Sequence, residues 1–190
     1  ASLAAVRDGK PIDTTMSFTP ASGIVMSSRS GDIDPGVARY LRQQHGLDPD
    51  QYDHMVNFES GLLGVSGVSA DMHTLLQAEQ TDDRAADAVS LFVYQVKKTI
   101  GAFSAALGGV DSLVFSGGIG EQAPAIRARI CDGLGYLGIE IDEQRNDQHA
   151  SLISTDTAGT GVHVIPTDEA AVMYDQVVEV LSQSPKGKSL

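Results

Sequence analysis

A single cysteine, Cys131, in 190 residues rules out an internal disulfide and suits a reducing compartment. It lies among apolar neighbours on a predicted helix and reads as an inert buried thiol. No apolar run approaches ~20 residues, so no segment has the length and hydrophobicity of a membrane-spanning helix. The start, Ala1-Ser2-Leu3, is neither basic nor followed by an apolar stretch, so no signal peptide is read and a cytoplasmic protein is expected. Positive charge is scarce: 13 Lys and Arg stand against 25 Asp and Glu, a net charge of −12. That balance argues against nucleic acid or an anionic membrane as partner, because both reward clustered cations. It leaves a nucleotide open, since backbone amides and a metal can hold phosphates without adding to the side-chain count. The five histidines (His45, His54, His73, His149 and His163) form no i, i+4 pair or Cys/His cluster, which speaks against zinc.

What is present reads as one α/β domain. Two strands around Asp8-Gly9 form a predicted hairpin over 2–15. A short extended piece, 23–28, leads into the polar cluster Arg29-Ser30-Gly31-Asp32-Ile33-Asp34-Pro35, and a helix capped by Asp34 runs to about Gln44. Asp48-Pro49 restarts a helix to about Glu59. The small-residue stretch Ser60–Ser69 reads as turns, and 70–79 as helix. Thr81-Asp82-Asp83 caps a long helix with Ala86, Val89, Phe92, Val93, Val96, Ile100, Phe103 and Leu107 at helical spacing. Strand 112–116, a helix from Pro124 to about Leu134, short strands at 139–141 and 162–166, and a helix over 168–182 complete the pattern. A helix feeding a strand, loop and helix implies parallel strands, and the opening hairpin makes the expected sheet mixed. The tail 184–190 is expected to fray.

Four clusters can carry chemistry. Leu113-Val114-Phe115-Ser116-Gly117-Gly118-Ile119-Gly120-Glu121 reads as a strand, a glycine turn and a helix start. Glycines there let the backbone approach a ligand closely, or they make a packing corner. Arg29, on a loop beside glycine, either offers its planar fork to a carboxylate or phosphoryl group or pairs with Asp32 or Asp34. Asp168 and Glu169, at a strand–helix junction, are either helix caps or magnesium ligands. Asp71 either caps a helix or accepts from a ribose or base.

Three separated segments, Ser28–Pro35, Gly64–Asp71 and Val114–Glu121, closely resemble the acetate kinase family, as do Leu137–Asp142 and Val164–Glu169. The resemblance covers the chain in family order up to the tail. It implies the nucleotide-binding lobe of the superfamily of actin, sugar kinases and heat-shock chaperone ATPases, an α/β ribonuclease H-like domain with a mixed sheet flanked by helices. Family members carry His-Leu-Gly-Asn-Gly directly before the position of Ala1, so the resemblance implies a C-terminal half, with residues 1–183 as its domain and the N-terminal domain lying outside this chain.

In that family the ATP γ-phosphoryl group passes to a short-chain carboxylate. The resemblance assigns Arg29 as transition-state stabiliser, Glu169 as ligand of Mg2+ (or Mn2+), and Asp71, Met72 and His73 as nucleotide-binding residues. Gly118, Ile119, Gly120, Glu121 and Gln122 match the motif that walls the adenine pocket. Three departures stand out: His73 replaces a usual arginine, Gln122 a usual asparagine, and Thr167-Asp168-Glu169-Ala170 stands where members read Thr-Asn-Glu-Glu. The family's catalytic aspartate, a second arginine, a histidine and the acid pocket lie in the N-terminal domain. The resemblance therefore implies a homodimer that needs that lobe for activity, and an isolated chain that binds nucleotide weakly without making acetyl phosphate. A propionate kinase half, a non-catalytic nucleotide-binding or dimerisation module, and a sugar kinase of the same superfamily are the alternatives.

Overall fold

Asp8 and Gly9 both take positive φ, 52° and 72°, as a two-residue type I′ turn requires. They join β1 (Ala4–Arg7) and β2 (Lys10–Thr14) into an antiparallel ladder with a bulge between Ala5 and Val6. The structure is a computed structural model that describes residues 1–183; the tail expected to fray lies outside the described residues. Eight helices and two further strands precede the last helix: α1 (Gly36–His45), α2 (Pro49–Phe58), α3 (Gly61–Ser66), α4 (Met72–Ala78), α5 (Asp83–Leu107), β3 (Ser112–Phe115), α6 (Gly117–Gln122), α7 (Pro124–Cys131), α8 (Glu143–Asp147) and β4 (Gly161–Val164). A 3-10 turn, Gly135–Leu137, lies between α7 and α8, and α9 (Glu169–Gln183) closes the described chain.

Carboxylate caps start most of the longer helices. Asp48 and Gln51 form a reciprocal capping box at α2. Asp82 accepts from the amides of Arg84 and Ala85 at α5. The long helix α5 is the spine of the molecule. Its stripe Ala85, Ala88, Val89, Phe92, Val96 and Ile100 is buried at i, i+3 and i+4 spacing. Against it pack Leu62 and Leu75 from α3 and α4 and Ile126 and Ile130 from α7, and Phe115, Val162 and Val164 from the second ladder belong to the same core. Burying a Leu or Phe side chain contributes about 1.5–3 kcal/mol, so this layer holds the elements together. Gly108, at φ 75°, ends α5 by donating to the carbonyls of Ser104 and Ala105. Cys131 is buried at the end of α7, and burial pushes its thiol up to about 12.

The chain is α/β, but the strands do not join into one mixed sheet among the described residues. They form two ladders, β1 with β2 antiparallel and β3 with β4 parallel, in register Ser112↔Gly161 to Phe115↔Val164. Residues of β1 and β3 line one cleft without a hydrogen-bonded ladder between the two strands. Hydrophobic pattern finds strands and cannot find which strand each one pairs with. Three further expectations change. Ser60–Ser69 is not all turn: Gly61–Ser66 is helix α3, because burial of Leu62 and Ser66 against α5 outweighs the low helix propensity of its glycines. The piece 23–28 is not a strand, although Ile24, Val25 and Met26 are buried. Residues 139–141 keep only an isolated bridge, Ile141 to Ser154.

Candidate nucleotide site

The loop that carries Arg29 is fixed through its backbone. The Met26 amide donates to the Arg29 carbonyl at 3.1 Å, Ser30 to Val56 at 2.9 Å, Asp32 to Gly23 at 2.8 Å, and Leu62 to Met26 at 2.8 Å. Two glycines make that packing possible. A Cβ on Gly31, at φ 70°, would sit 2.5 Å from the Gly23 carbonyl oxygen, and one on Gly61, at φ 66°, 2.2 Å from that of Met26. The nearby carboxylates are spent locally: Asp32 accepts from the Gly23 amide at 2.8 Å, and Asp34 from Gly36 at 2.6 Å. Asp34 thus bonds the first amide of α1, but Pro35 and not Asp34 holds the cap position, and it has no side-chain cap bond. No carboxylate pairs with Arg29 among the described residues. Arg29 instead lines a cleft of ≈ 1190 Å³.

Buried apolar residues of α5 and α7, including Phe92, Val96 and Ile130, line this cleft together with polar residues such as Ser28, Asn57 and Thr167. Arg29, Gly118, Ile119, Gly120, Thr167 and Glu169 all border it. Ser116 is extended, with φ −149° and ψ 166°, and Gly117 at φ 72° makes the turn. The other glycines of the motif are helical rather than part of a turn: they build α6, which stops at Ala123 because Pro124 follows. A Cβ on Gly118 would meet nothing within 4 Å, whereas one on Gly120 would lie 3.3 Å from Phe115. Gly120 is thus a packing glycine, and Gly118 faces open space.

Glu121 and Gln122 do not border the cleft. The Glu121 carboxylate is turned onto the neighbouring junction, where its Oε1 accepts from the Gly117 amide at 2.7 Å, the Thr167 amide at 2.9 Å and the Thr167 hydroxyl at 2.6 Å. The Thr167 hydroxyl bond, then the Thr167 and Gly117 amides, hold its carboxyl below the usual carboxylate range. Gln122 is exposed.

The Asp71, Met72 and His73 triplet stands apart from the cleft lining. Asp71 caps α4, accepting from the Thr74 amide at 2.9 Å and hydroxyl at 2.8 Å, bonds that lower its carboxyl pKa. The Met72 side chain is buried in the core, and exposed His73 contacts Gln77. Asp168 caps α9 by accepting from the Ala171 amide at 2.9 Å, which leaves the exposed Glu169 as the carboxylate at the cleft. Among the described residues no three His, Cys, Asp or Glu side chains gather into a metal-binding group. A lone carboxylate fits Mg2+, which is usually held by one or two carboxylates plus phosphate oxygens and water.

One residue of the site escaped the sequence reading. Arg127 is fully buried behind α6, donating to the carbonyls of Gly120 and Glu121, each at 2.8 Å, and to Asn146 Oδ1 at 2.8 Å and its carbonyl at 2.7 Å. Burial lowers its pKa, partly offset by nearby Cys131 and Asp147. His149, at φ 52°, joins in: because a carbonyl only accepts, its Nδ1 donates to Glu121 O at 2.7 Å. The signal was available, since Arg127 lies three and four residues before Ile130 and Cys131 and so shares their buried face.

This geometry has solved counterparts. The chain is similar to the crystal structure of Porphyromonas gingivalis acetate kinase, with a TM-score of 0.89 and 38% identity over 95% of this chain and 46% of that one. It is also similar to that of Entamoeba histolytica acetate kinase, with a TM-score of 0.87 and 33% identity over 94% of this chain and 48% of that one. The architecture is accordingly that of the actin-like kinases. In sequence it is 43% identical to an acetate kinase of Clostridium botulinum (strain Alaska E43 / Type E3), over 95% of this chain and 46% of the relative. It is 44% identical to a propionate kinase of Citrobacter rodentium, over 99% of this chain and 47% of the relative. The chain spans about half the length of the curated relatives it matches. The model of the acetokinase family matches residues 1–175, and the chain belongs to that family.

Proposed function

We propose that residues 1–183 are the C-terminal, nucleotide-binding half of a cytoplasmic, homodimeric kinase that moves the ATP γ-phosphoryl group to acetate and back. The observation that carries this reading is Arg29. Its guanidinium is paired with no carboxylate among the described residues, and the residue lines the same cleft as Gly118 and Glu169. In the forward direction a carboxylate oxygen attacks the γ-phosphorus as the bond to the β–γ bridging oxygen breaks, giving acyl phosphate and ADP. Negative charge spreads over the transferring oxygens, and catalysis is mainly alignment and charge stabilisation. Arg29 supplies a planar fork of donors to those oxygens. Open backbone at Gly118 admits the nucleotide, and Asp71, Met72 and His73, which stand apart from that cleft at the start of α4, are the second nucleotide-binding segment of this reading. Glu169 would hold Mg2+, or Mn2+, whose chemistry there is to neutralise phosphate charge. The acid pocket and the remaining charged groups belong to an N-terminal lobe, so the chain alone binds nucleotide and does not turn over.

Propionate is the second reading for the acceptor, supported by the propionate kinase relative matching as well as the acetate kinase. The residues encoded upstream of Ala1 provide the first test: His-Leu-Gly-Asn-Gly preceded by a further lobe supports the proposal, and a start codon there overturns it. In the protein carrying both lobes, Arg29→Ala is expected to lower kcat for acetyl phosphate formation by about 10³ and change the ATP Kd only a few-fold. Equal losses in both would make Arg29 a structural residue.

A further inference from the structure

The contacts of Glu121 tie together two junctions that lie far apart in sequence. One is the Ser116-Gly117 turn, which leads into the open glycine, Gly118. The other is Thr167, at the end of the β4 extension and two residues before Glu169. A single carboxylate oxygen accepts from the Gly117 amide, the Thr167 amide and the Thr167 hydroxyl, at 2.6–2.9 Å. The Thr167 hydroxyl oxygen also lies 3.0 Å from the Gly117 amide and 3.1 Å from the Ser116 hydroxyl. Because that hydroxyl donates its proton to Glu121, it can accept from Ser116, which closes the ring of bonds. Behind α6, Arg127 and His149 fix the Glu121 carbonyl, so the clasp hangs from a held backbone.

We infer that Glu121 is a positioning residue: its carboxylate fixes the distance between the nucleotide-binding backbone at Gly118 and the cation-binding carboxylate of Glu169, so that nucleotide and Mg2+ bind as a coupled pair. The inference rests on the nucleotide reading given above. The physical argument is preorganisation. A nucleotide–metal complex must meet both junctions at once, and a clasp that sets their separation removes the ordering cost from the binding event. Coupling of this kind is reciprocal: the factor by which Mg2+ tightens nucleotide binding equals the factor by which nucleotide tightens Mg2+ binding. A residue that only walled a base pocket would alter nucleotide affinity equally with and without the cation.

The test is a calorimetric titration of the chain with ADP, once with Mg2+ and once with EDTA, for the parent and for Glu121→Gln, Thr167→Val and Thr167→Ser. The ratio of the two Kd values measures the coupling. Glu121→Gln and Thr167→Val are each expected to reduce that ratio by about three- to tenfold, the scale of losing one ordinary hydrogen bond at a solvent-exposed position. Binding in EDTA should stay within about twofold, and Thr167→Ser, which keeps the hydroxyl, should restore the parental ratio. Equal weakening in both media, or an unchanged ratio in both Glu121→Gln and Thr167→Val, overturns the clasp while leaving the nucleotide site standing. A parent chain that binds ADP in neither medium overturns the nucleotide reading, and the clasp with it. Thermal melts of each variant separate unfolding from lost coupling. If Glu121→Gln fails to fold, Thr167→Val, which keeps both backbone donors and the carboxylate, decides.

Discussion

Arg127 carries a full charge into the interior with no carboxylate hydrogen-bonded to it. Desolvating such a cation costs several kcal/mol, which only good hydrogen bonds offset. Every donor that meets a partner meets a neutral one, chiefly backbone carbonyls at the end of α6 and the Asn146 side chain. The residue thus acts as a bracket for the helix that presents Gly118, through a fork that one ammonium group cannot copy. Arg127→Met would leave the carbonyls of Gly120 and Glu121 and the Asn146 side chain short of a donor in a buried place. The expected loss is about 3 kcal/mol or more of unfolding free energy, read from urea titrations, with Arg127→Lys losing most of it too. A loss under about 1 kcal/mol would show that water or a neighbour takes over those acceptors.

At the scale of elements, local signals were legible and distant partners were not. The Asp8-Gly9 turn, the caps at Asp48 and Asp82, and the apolar stripe of α5 all follow from side chains a few residues apart. Helix α3 was hidden because its glycines say turn, and only contact with α5 makes it a helix. Of the site, Arg29, Gly118 and Glu169 were legible and do meet at one cleft. Asp71 was read both ways, and its carboxylate is occupied as a cap. The resemblance placed Glu121 in the base-pocket motif; its bonds to Thr167, 46 residues away, were beyond any local pattern.

The pair of Glu79 and Arg129 belongs to this scale as well. Two hydrogen bonds of 2.6 and 2.7 Å tie the end of α4 to α7. Arg129, by its hydrogen bonds and then its charge, holds the Glu79 carboxyl below its ordinary value of 4.5. A depressed carboxylate stabilises the fold fully above the unfolded pKa, and that contribution fades as pH falls from about 4.5 through the folded value. Glu79→Gln should therefore cost about 1 kcal/mol at pH 7, because Arg129 is partly exposed to solvent, and almost nothing in strong acid. Denaturant midpoints of parent and variant at neutral and acid pH check this; a gap that widens in acid would contradict it.

For the molecule as a whole, the layer around α5 holds the elements together, and residues of both ladders line the cleft to which the proposed function is assigned. Apolar residues of α9, among them Met173, Tyr174, Val177 and Leu181, are more than half exposed. The core is otherwise continuous from Ile24 to Val164. Cys131 lies inside that layer, at 4% exposure, with its thiol pushed up to about 12. At pH 8 only about one thiol in ten thousand would then be ionised, and the reactive thiolate would be out of reach of a reagent. The chain thus carries a built-in stopwatch. Modification of its one thiol by a disulfide reagent should run at the rate at which the core opens, and ligands that hold the core shut should slow it. Mass spectrometry of the labelled chain over time reads this directly. A rate matching that of an unstructured peptide thiol would place Cys131 at the surface, and a slow one turns a lone buried sulfur into a clock for unfolding.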